Sequence, residues 1–118
     1  MGIEDALCLC TVVKQAYDYI RDNSKTAKAA LRAAFGVYDS VRRTRSQWLV
    51  NSSRRVCDLY QQPDWADDSK LVKAETCFEE IRDRSLKIWN FDYDAMVEEA
   101  VRGYKMRCEA HDGEATLA

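Results

Sequence analysis

The stretch IEDALCLCTVVKQAYDYIRD, residues 3–22, predicts the class of the fold. Apolar side chains recur in it at alternating steps of three and four residues, a spacing that places them on one face of an α-helix. That face consists of Ile3, Leu7, Cys10, Val13, Tyr17 and Ile20. Asp5 lies in the first turn, where the helix dipole favours a negative charge. We therefore expect an amphipathic helix that packs on a core through this face.

The rest of the chain keeps the helical period, and no segment alternates apolar and polar residues as a half-buried strand does. Further apolar faces begin near residue 25, near residue 69 and after Asp92, and the cluster Asn51-Ser52-Ser53 favours a break in the second helix. The spacing predicts that four side chains on these faces are buried, namely Leu31, Phe78, Ile81 and Val101.

Length and composition support a single helical domain. The chain has 118 residues, of which 47% are hydrophobic and 32% charged, and it contains only four glycines and one proline. This composition excludes a disordered chain, and no uncharged run approaches the roughly 20 residues that span a bilayer. We predict an all-α fold, a single-domain bundle of four to five helices with short loops over residues 1–111, followed by a polar C-terminal tail over residues 112–118.

The cysteines and the N-terminus indicate a compartment. Five cysteines cannot all pair within one chain, and Cys8 and Cys77 occupy positions of small apolar residues. The N-terminus lacks the basic region of a signal peptide. These features predict an intracellular, reducing compartment and favour the cytoplasm over the interior of an organelle, while acylation of Gly2 stays open.

Residues with catalytic chemistry are few. His111 is the only histidine, and no nucleophile elbow, phosphate-binding loop or dinucleotide fingerprint occurs. Cys108 and His111 could share one helix face, but the sequence offers no second pair of metal ligands. The sequence therefore predicts a protein that is not an enzyme and has neither a cofactor nor a metal. A small enzyme that uses Cys108 and His111 is a minor alternative.

Charge is the most informative surface feature. Residues 24–60 carry eight basic and two acidic residues, whereas residues 61–118 carry eight basic and fourteen acidic ones. Arginine dominates the basic segment, and its guanidinium group suits paired contacts to carboxylates or phosphates. The predicted partner-binding residues are Arg42, Arg43, Arg45, Trp48, Arg54, Arg55 and Trp65.

Two functional hypotheses follow from this charge distribution. The first is a non-enzymatic helical protein–protein interaction module, a subunit or adaptor of a larger assembly that binds an acidic partner surface. The alternative is an RNA-binding protein, monomeric or dimeric, that contacts phosphates through residues 42–55. The pI of 5.4 is low for a nucleic-acid-binding domain, and the basic and acidic helices of a bundle can also neutralise each other. Homo-oligomerisation stays open.

Overall fold

The computed structural model describes residues 1–23, 26–62, 69 and 73–116, and within these ranges the chain forms four helices and no strand. This confirms the prediction of an all-α helical bundle without a sheet. The helices are α1 (Gly2–Asn23), α2 (Ala27–Tyr60), α3 (Ala74–Trp89) and α4 (Tyr93–Thr116). Helix α4 therefore continues into the segment 112–118, which the sequence predicts to be a polar tail. The division of the chain into a bundle over residues 1–111 and a separate tail stays a prediction.

The helices belong to two compact units. The first comprises Met1–Arg45 together with Asp92–Ala118, so it contains α1, the N-terminal part of α2 and α4. The second comprises Ser46–Phe91 and contains the C-terminal part of α2 together with α3. In the first unit α1 packs along α4.

Helix α2 is continuous through residues 51–53, so the predicted break there was wrong. An asparagine or serine inside a helix costs at most about 0.7 kcal/mol relative to alanine, which tertiary packing readily offsets. Ser52 is itself buried, and Leu59, seven residues further on and on the same face, is also buried. The buried face thus carries the helix past the polar cluster.

The core of the first unit consists mainly of small side chains, three from each helix. They are Cys8, Val12 and Ala16 from α1, Ala30, Ala34 and Val37 from α2, and Met96, Ala100 and Tyr104 from α4. Small side chains at helix contacts let the helix axes approach closely. The α-carbon of Gly103 illustrates this, because a β-carbon added there would lie 3.3 Å from the side chain of Val37.

Several predictions of buried side chains were wrong. On α1 the predicted inward face points outward, with Ile3 83% and Tyr17 64% exposed, and on α3 Phe78 is 70% exposed. The aromatic ring of Phe35 on α2 is also exposed. Leu31, Ile81 and Val101 are half-buried. The predictions for Cys8 and Cys77 are confirmed, since both thiols are buried.

The reason for these errors is the same on both helices. Apolar side chains occur on more than one side of each helix, and the largest of them do not face the core. On α1 the small residues Cys8 and Ala16 are buried, and on α3 the small residue Cys77 is buried beside the exposed Phe78. Helical spacing alone therefore does not identify the buried side.

Candidate functional site

A buried ionic network joins α1 to α2 in the first unit. Arg42 and Glu4 are each only 3% exposed, and Arg42 Nη2 donates a hydrogen bond to Glu4 Oε2 at 2.9 Å. Arg42 Nε donates to Asp5 Oδ1 at 2.7 Å. Arg45 completes the network, because its Nε and Nη2 donate to the two oxygens of Glu4, each at 2.7 Å. Such paired guanidinium–carboxylate contacts fix the relative orientation of two helices as well as their charges.

The pKa shifts of Glu4 and Arg42 favour the charged form of each. The hydrogen bonds from Arg45 lower the pKa of Glu4 below its ordinary value of 4.5, although burial opposes this effect. Burial would lower the pKa of Arg42, but its hydrogen bonds to Asp5 and Glu4 outweigh burial and raise the pKa. Among the described residues no buried side-chain nitrogen or oxygen lacks a hydrogen-bond partner. The network is therefore a satisfied structural element rather than a reactive one.

The second unit holds another set of charged contacts. Arg55 Nε donates to Glu80 Oε1 at 2.8 Å, and Arg84 Nη2 donates to the same oxygen at 2.8 Å. The hydrogen bond from Arg55 has the largest effect on the pKa of Glu80 and that from Arg84 the next largest, and together they lower this pKa to about 2. The ammonium group of Lys87 lies 4.4 Å from the ring centroid of Trp48, the distance of a cation–π contact.

The structure thus places the seven predicted partner-binding residues in different environments. Arg42 and Arg45 face the interior, and Arg43 pairs with Asp39 on the surface. The other members differ as well: Arg55 pairs with Glu80, Trp48 contacts Lys87, Arg54 is exposed, and Trp65 lies outside the described residues. Whether any of them binds a partner stays a prediction. The acidic members of both networks, Glu4, Asp5 and Glu80, were not among the site residues predicted from the sequence.

The end of the first unit near the C-terminus contains a cleft with two tyrosines. The rings of Tyr19 and Tyr104 meet edge to face, with centroids 6.2 Å apart, and the Tyr19 hydroxyl donates to Asp112 Oδ2 at 2.9 Å. The Tyr104 hydroxyl donates to the carbonyl oxygen of Ala30 at 3.4 Å. Burial, followed by the hydrogen bond with Cys108, raises the pKa of Tyr104. The two rings thus pack against each other, and each hydroxyl donates a hydrogen bond to a neighbouring element.

No cluster of potential metal ligands appears in the ranges that the structure describes. His111 is exposed, and no group of three or more potential metal ligands occurs among the described residues. None of the described helices is long and apolar enough to cross a bilayer. The compartment remains a prediction from the sequence.

The largest unexplained feature is the solvent-facing side of α1. We call the residues Ile3, Leu7, Cys10, Val13 and Tyr17 the outer face of α1; all five are exposed. A solvent-exposed side of a helix is normally polar, so an apolar side of this length indicates contact with another surface. The outer face is therefore the strongest candidate for a functional site in the described chain.

Comparisons with known proteins point to enzymes. No family model matches this chain. The chain is 52% identical over 113 residues to "Salicylate hydroxylase asL1" of Sarocladium schorii, a match covering 91% of this chain and 24% of that protein. It is 56% identical over 107 residues to "FAD-dependent monooxygenase eupB" of Phoma sp, covering 84% of this chain and 24% of that protein. A third relative, "FAD-dependent monooxygenase orf3" of Aspergillus niger, is 39% identical over 109 residues, with coverage of 90% and 24%.

These relatives correct the functional prediction. One is named as a salicylate hydroxylase and two as FAD-dependent monooxygenases, so the prediction of a non-enzymatic adaptor or accessory subunit was wrong. None of the three names indicates RNA binding. The chain spans about a quarter of the length of the curated relatives it matches. The sequence contains no flavin-binding motif, and this is why its residues gave no signal for the enzyme class.

Proposed function

We propose that this chain is a helical segment of an FAD-dependent monooxygenase. The observation that carries the proposal is the identity of 52% to a salicylate hydroxylase across 91% of the chain. Identity at that level over nearly the whole chain supports the view that this chain occupies the same position in the fold of an enzyme of the same kind. FAD, where it is bound, supplies the redox chemistry that activates oxygen for insertion into a substrate.

The residues of this chain do not fit a dinucleotide site by themselves. Such a site uses a glycine-rich turn between a strand and a helix, where backbone amides approach the pyrophosphate. The four glycines, Gly2, Gly36, Gly103 and Gly113, do not have that spacing, and the described ranges contain no strand. We therefore assign FAD binding to parts of the enzyme outside this chain, and we assign to this chain the support of that flavin-binding part.

The substrate to test first is salicylate, because one relative is named for its hydroxylation. The experiment is a chimera in which this chain replaces the matching segment of asL1. We expect the purified chimera to retain the visible absorption of bound FAD and to consume oxygen in the presence of salicylate at a rate of the same order as intact asL1.

Two variants of the chimera serve as controls. Val12→Asp places a charge in the core and should abolish FAD retention, whereas Asn51→Asp on the surface should not. A chimera that lacks both FAD and activity while intact asL1 has both would contradict the proposal, because the shared sequence would then not reflect a shared structural place.

A further inference from the structure

Helix α1 has two apolar sides that lie opposite each other. Residues nine apart on an α-helix are separated by about two and a half turns and therefore point in opposite directions. Three such pairs occur on α1, and in each pair the smaller residue is buried while the larger one is exposed. The pairs are Ile3 with Val12, Leu7 with Ala16, and Cys8 with Tyr17. A helix that is apolar on opposite sides is typical of the interior of a larger protein.

The outer face of α1 carries little net charge. Lys14, which lies between its residues, pairs with Asp18 at 2.7 Å, and Arg21 pairs with Asp22 at 2.9 Å further along the helix. These pairs neutralise the cations of α1 within the helix itself. The face therefore offers no basic patch to a nucleic acid or to an anionic membrane surface, and its chemistry suits an apolar protein surface.

The ionic network holds this face in a defined position. Glu4 and Asp5 lie in the first turn of α1 and are bonded to Arg42, while Glu4 is also bonded to Arg45. Because these contacts orient α1 on α2, the outer face has a fixed direction before any partner binds. A preorganised face loses little conformational entropy on docking.

We propose that the outer face of α1 docks against the flavin-carrying part of a monooxygenase, the part that makes up the other three quarters of the relatives' length. This inference rests on the proposed function. The relatives supply the argument for the occupant, since the match covers 91% and 84% of this chain but only 24% of each relative. A second copy of this chain is the competing occupant, and the test distinguishes the two.

Two cysteines make the test specific. Cys10 lies on the outer face, and Cys57 is exposed on α2 in the second unit. In the free 118-residue chain we expect both thiols to react with a maleimide, as identified by mass spectrometry of the labelled peptides. In the asL1 chimera we expect the labelling rate of Cys10 to fall by at least about tenfold, because a docked thiol is inaccessible to the reagent. Cys57 reports whether the reagent reaches the surface of the chain.

Matched substitutions separate docking from folding. Tyr17→Asp in the chimera should return Cys10 to the labelling rate of the free chain, whereas Asn51→Asp adds the same charge elsewhere and should leave Cys10 protected. Labelling of Cys10 at the free-chain rate in the unsubstituted chimera would overturn the inference. A second result would also overturn it: the free chain forms a dimer that Tyr17→Asp dissociates, while Cys10 stays reactive in the chimera. The occupant of the outer face would then be a second copy of this chain.

The readouts also separate this inference from the proposed function. Protection of Cys10 in a chimera without FAD or activity would support docking while contradicting the proposed function. A reactive Cys10 in a chimera that retains FAD and activity would contradict docking alone. Dye binding to the free chain gives a measurement independent of the chimera. Tyr17→Asp should reduce the fluorescence of a bound hydrophobic dye more than Asn51→Asp does, and equal fluorescence from the two variants would overturn the inference.

Discussion

Replacement of Glu4 by glutamine is expected to destabilise the chain by about 3 kcal/mol. Removing one partner of a buried ion pair costs about 3–5 kcal/mol, because the other charge stays buried without compensation. Glu4 and Arg42 are each 3% exposed, so their pair belongs to this class. Arg42 retains its bond to Asp5 at 2.7 Å, which places the expected loss at the lower end of the range. Glutamine keeps the size of the side chain, so the substitution removes the charge without leaving a cavity.

The measurement is urea denaturation followed by far-ultraviolet circular dichroism. With a slope of about 1–3 kcal/mol per molar urea, a loss of 3 kcal/mol moves the midpoint by roughly 1–3 M. Asp39→Asn is the matched control, because it removes the carboxylate from a pair with Arg43 in which both side chains are more than half exposed. Exposed pairs contribute about 0–1 kcal/mol. A loss below about 1 kcal/mol for Glu4→Gln would refute the reasoning that this network is a buried and compensated set of charges.

The pH dependence of the same variant gives a second check. The pKa of Glu4 is lower in the folded chain than its ordinary value of 4.5. Its contribution to stability is therefore complete above 4.5 and is lost as the pH falls through the lowered folded value. The difference in midpoint between the unsubstituted chain and Glu4→Gln should be full at neutral pH and should shrink on acidification below 4.5. A difference that is constant down to the most acidic pH at which the chain folds would contradict a charge-based cause.

The remaining predictions concern packing and the second ionic cluster. Phe78→Ala should cost less than about 1 kcal/mol in urea denaturation because Phe78 is 70% exposed, whereas Leu59→Ala should cost about 2–5 kcal/mol because Leu59 is buried; equal losses would contradict this assignment. Gly36→Ala should stabilise the chain by about 0.5–1 kcal/mol relative to the unsubstituted chain, and Gly103→Ala by less, because only the former meets the movable end of an exposed side chain; the reverse order of midpoints would contradict it. The pKa of Glu80 is lowered to about 2, so its stabilising effect is present above 4.5 and disappears as the pH falls through 2. Glu80→Gln and the unsubstituted chain should accordingly differ in unfolding midpoint at neutral pH and converge near pH 2, and a persistent difference there would count against the ion pairs.

The fold class was predictable because helical spacing persists in every long segment. Many side chains together determine the fold class, so errors at single positions do not change it. The positions of single side chains were less predictable. Phe78 and Cys77 are neighbours on α3, and the structure buries the small thiol rather than the large ring. In a chain whose core is built from alanine, cysteine and valine, the largest apolar residues are poor guides to the buried side. The continuity of α2 past residue 52 was missed for a related reason, since helix propensity was weighed there without the burial of Ser52 and Leu59.

The function was not predictable from this chain, and the reason is physical. Enzyme class is read from the residues that hold a cofactor or a reacting group, and this chain contains no such motif. The charge distribution was interpreted as a docking surface because arginines dominate residues 42–55. In the structure Arg42 and Arg45 bond to acidic residues in the first turn of α1, and Arg55 bonds to Glu80. Internal neutralisation of charge, which was weighed from the sequence, is present at these three arginines, and their role in partner binding stays a prediction.

The choice between the two apolar sides of α1 follows from the position of Glu4. On a helix Glu4 lies about 40° from Cys8 and about 140° from Tyr17, so a bond from Glu4 to Arg42 turns the side with Cys8 toward α2. Tyr17 must then face away from α2, although its side chain is larger than that of Cys8. A helix with two apolar sides gains most free energy when both are covered, and the ionic network determines which side is covered within the chain. The opposite side remains for another surface, which in the proposed enzyme is the flavin-carrying part.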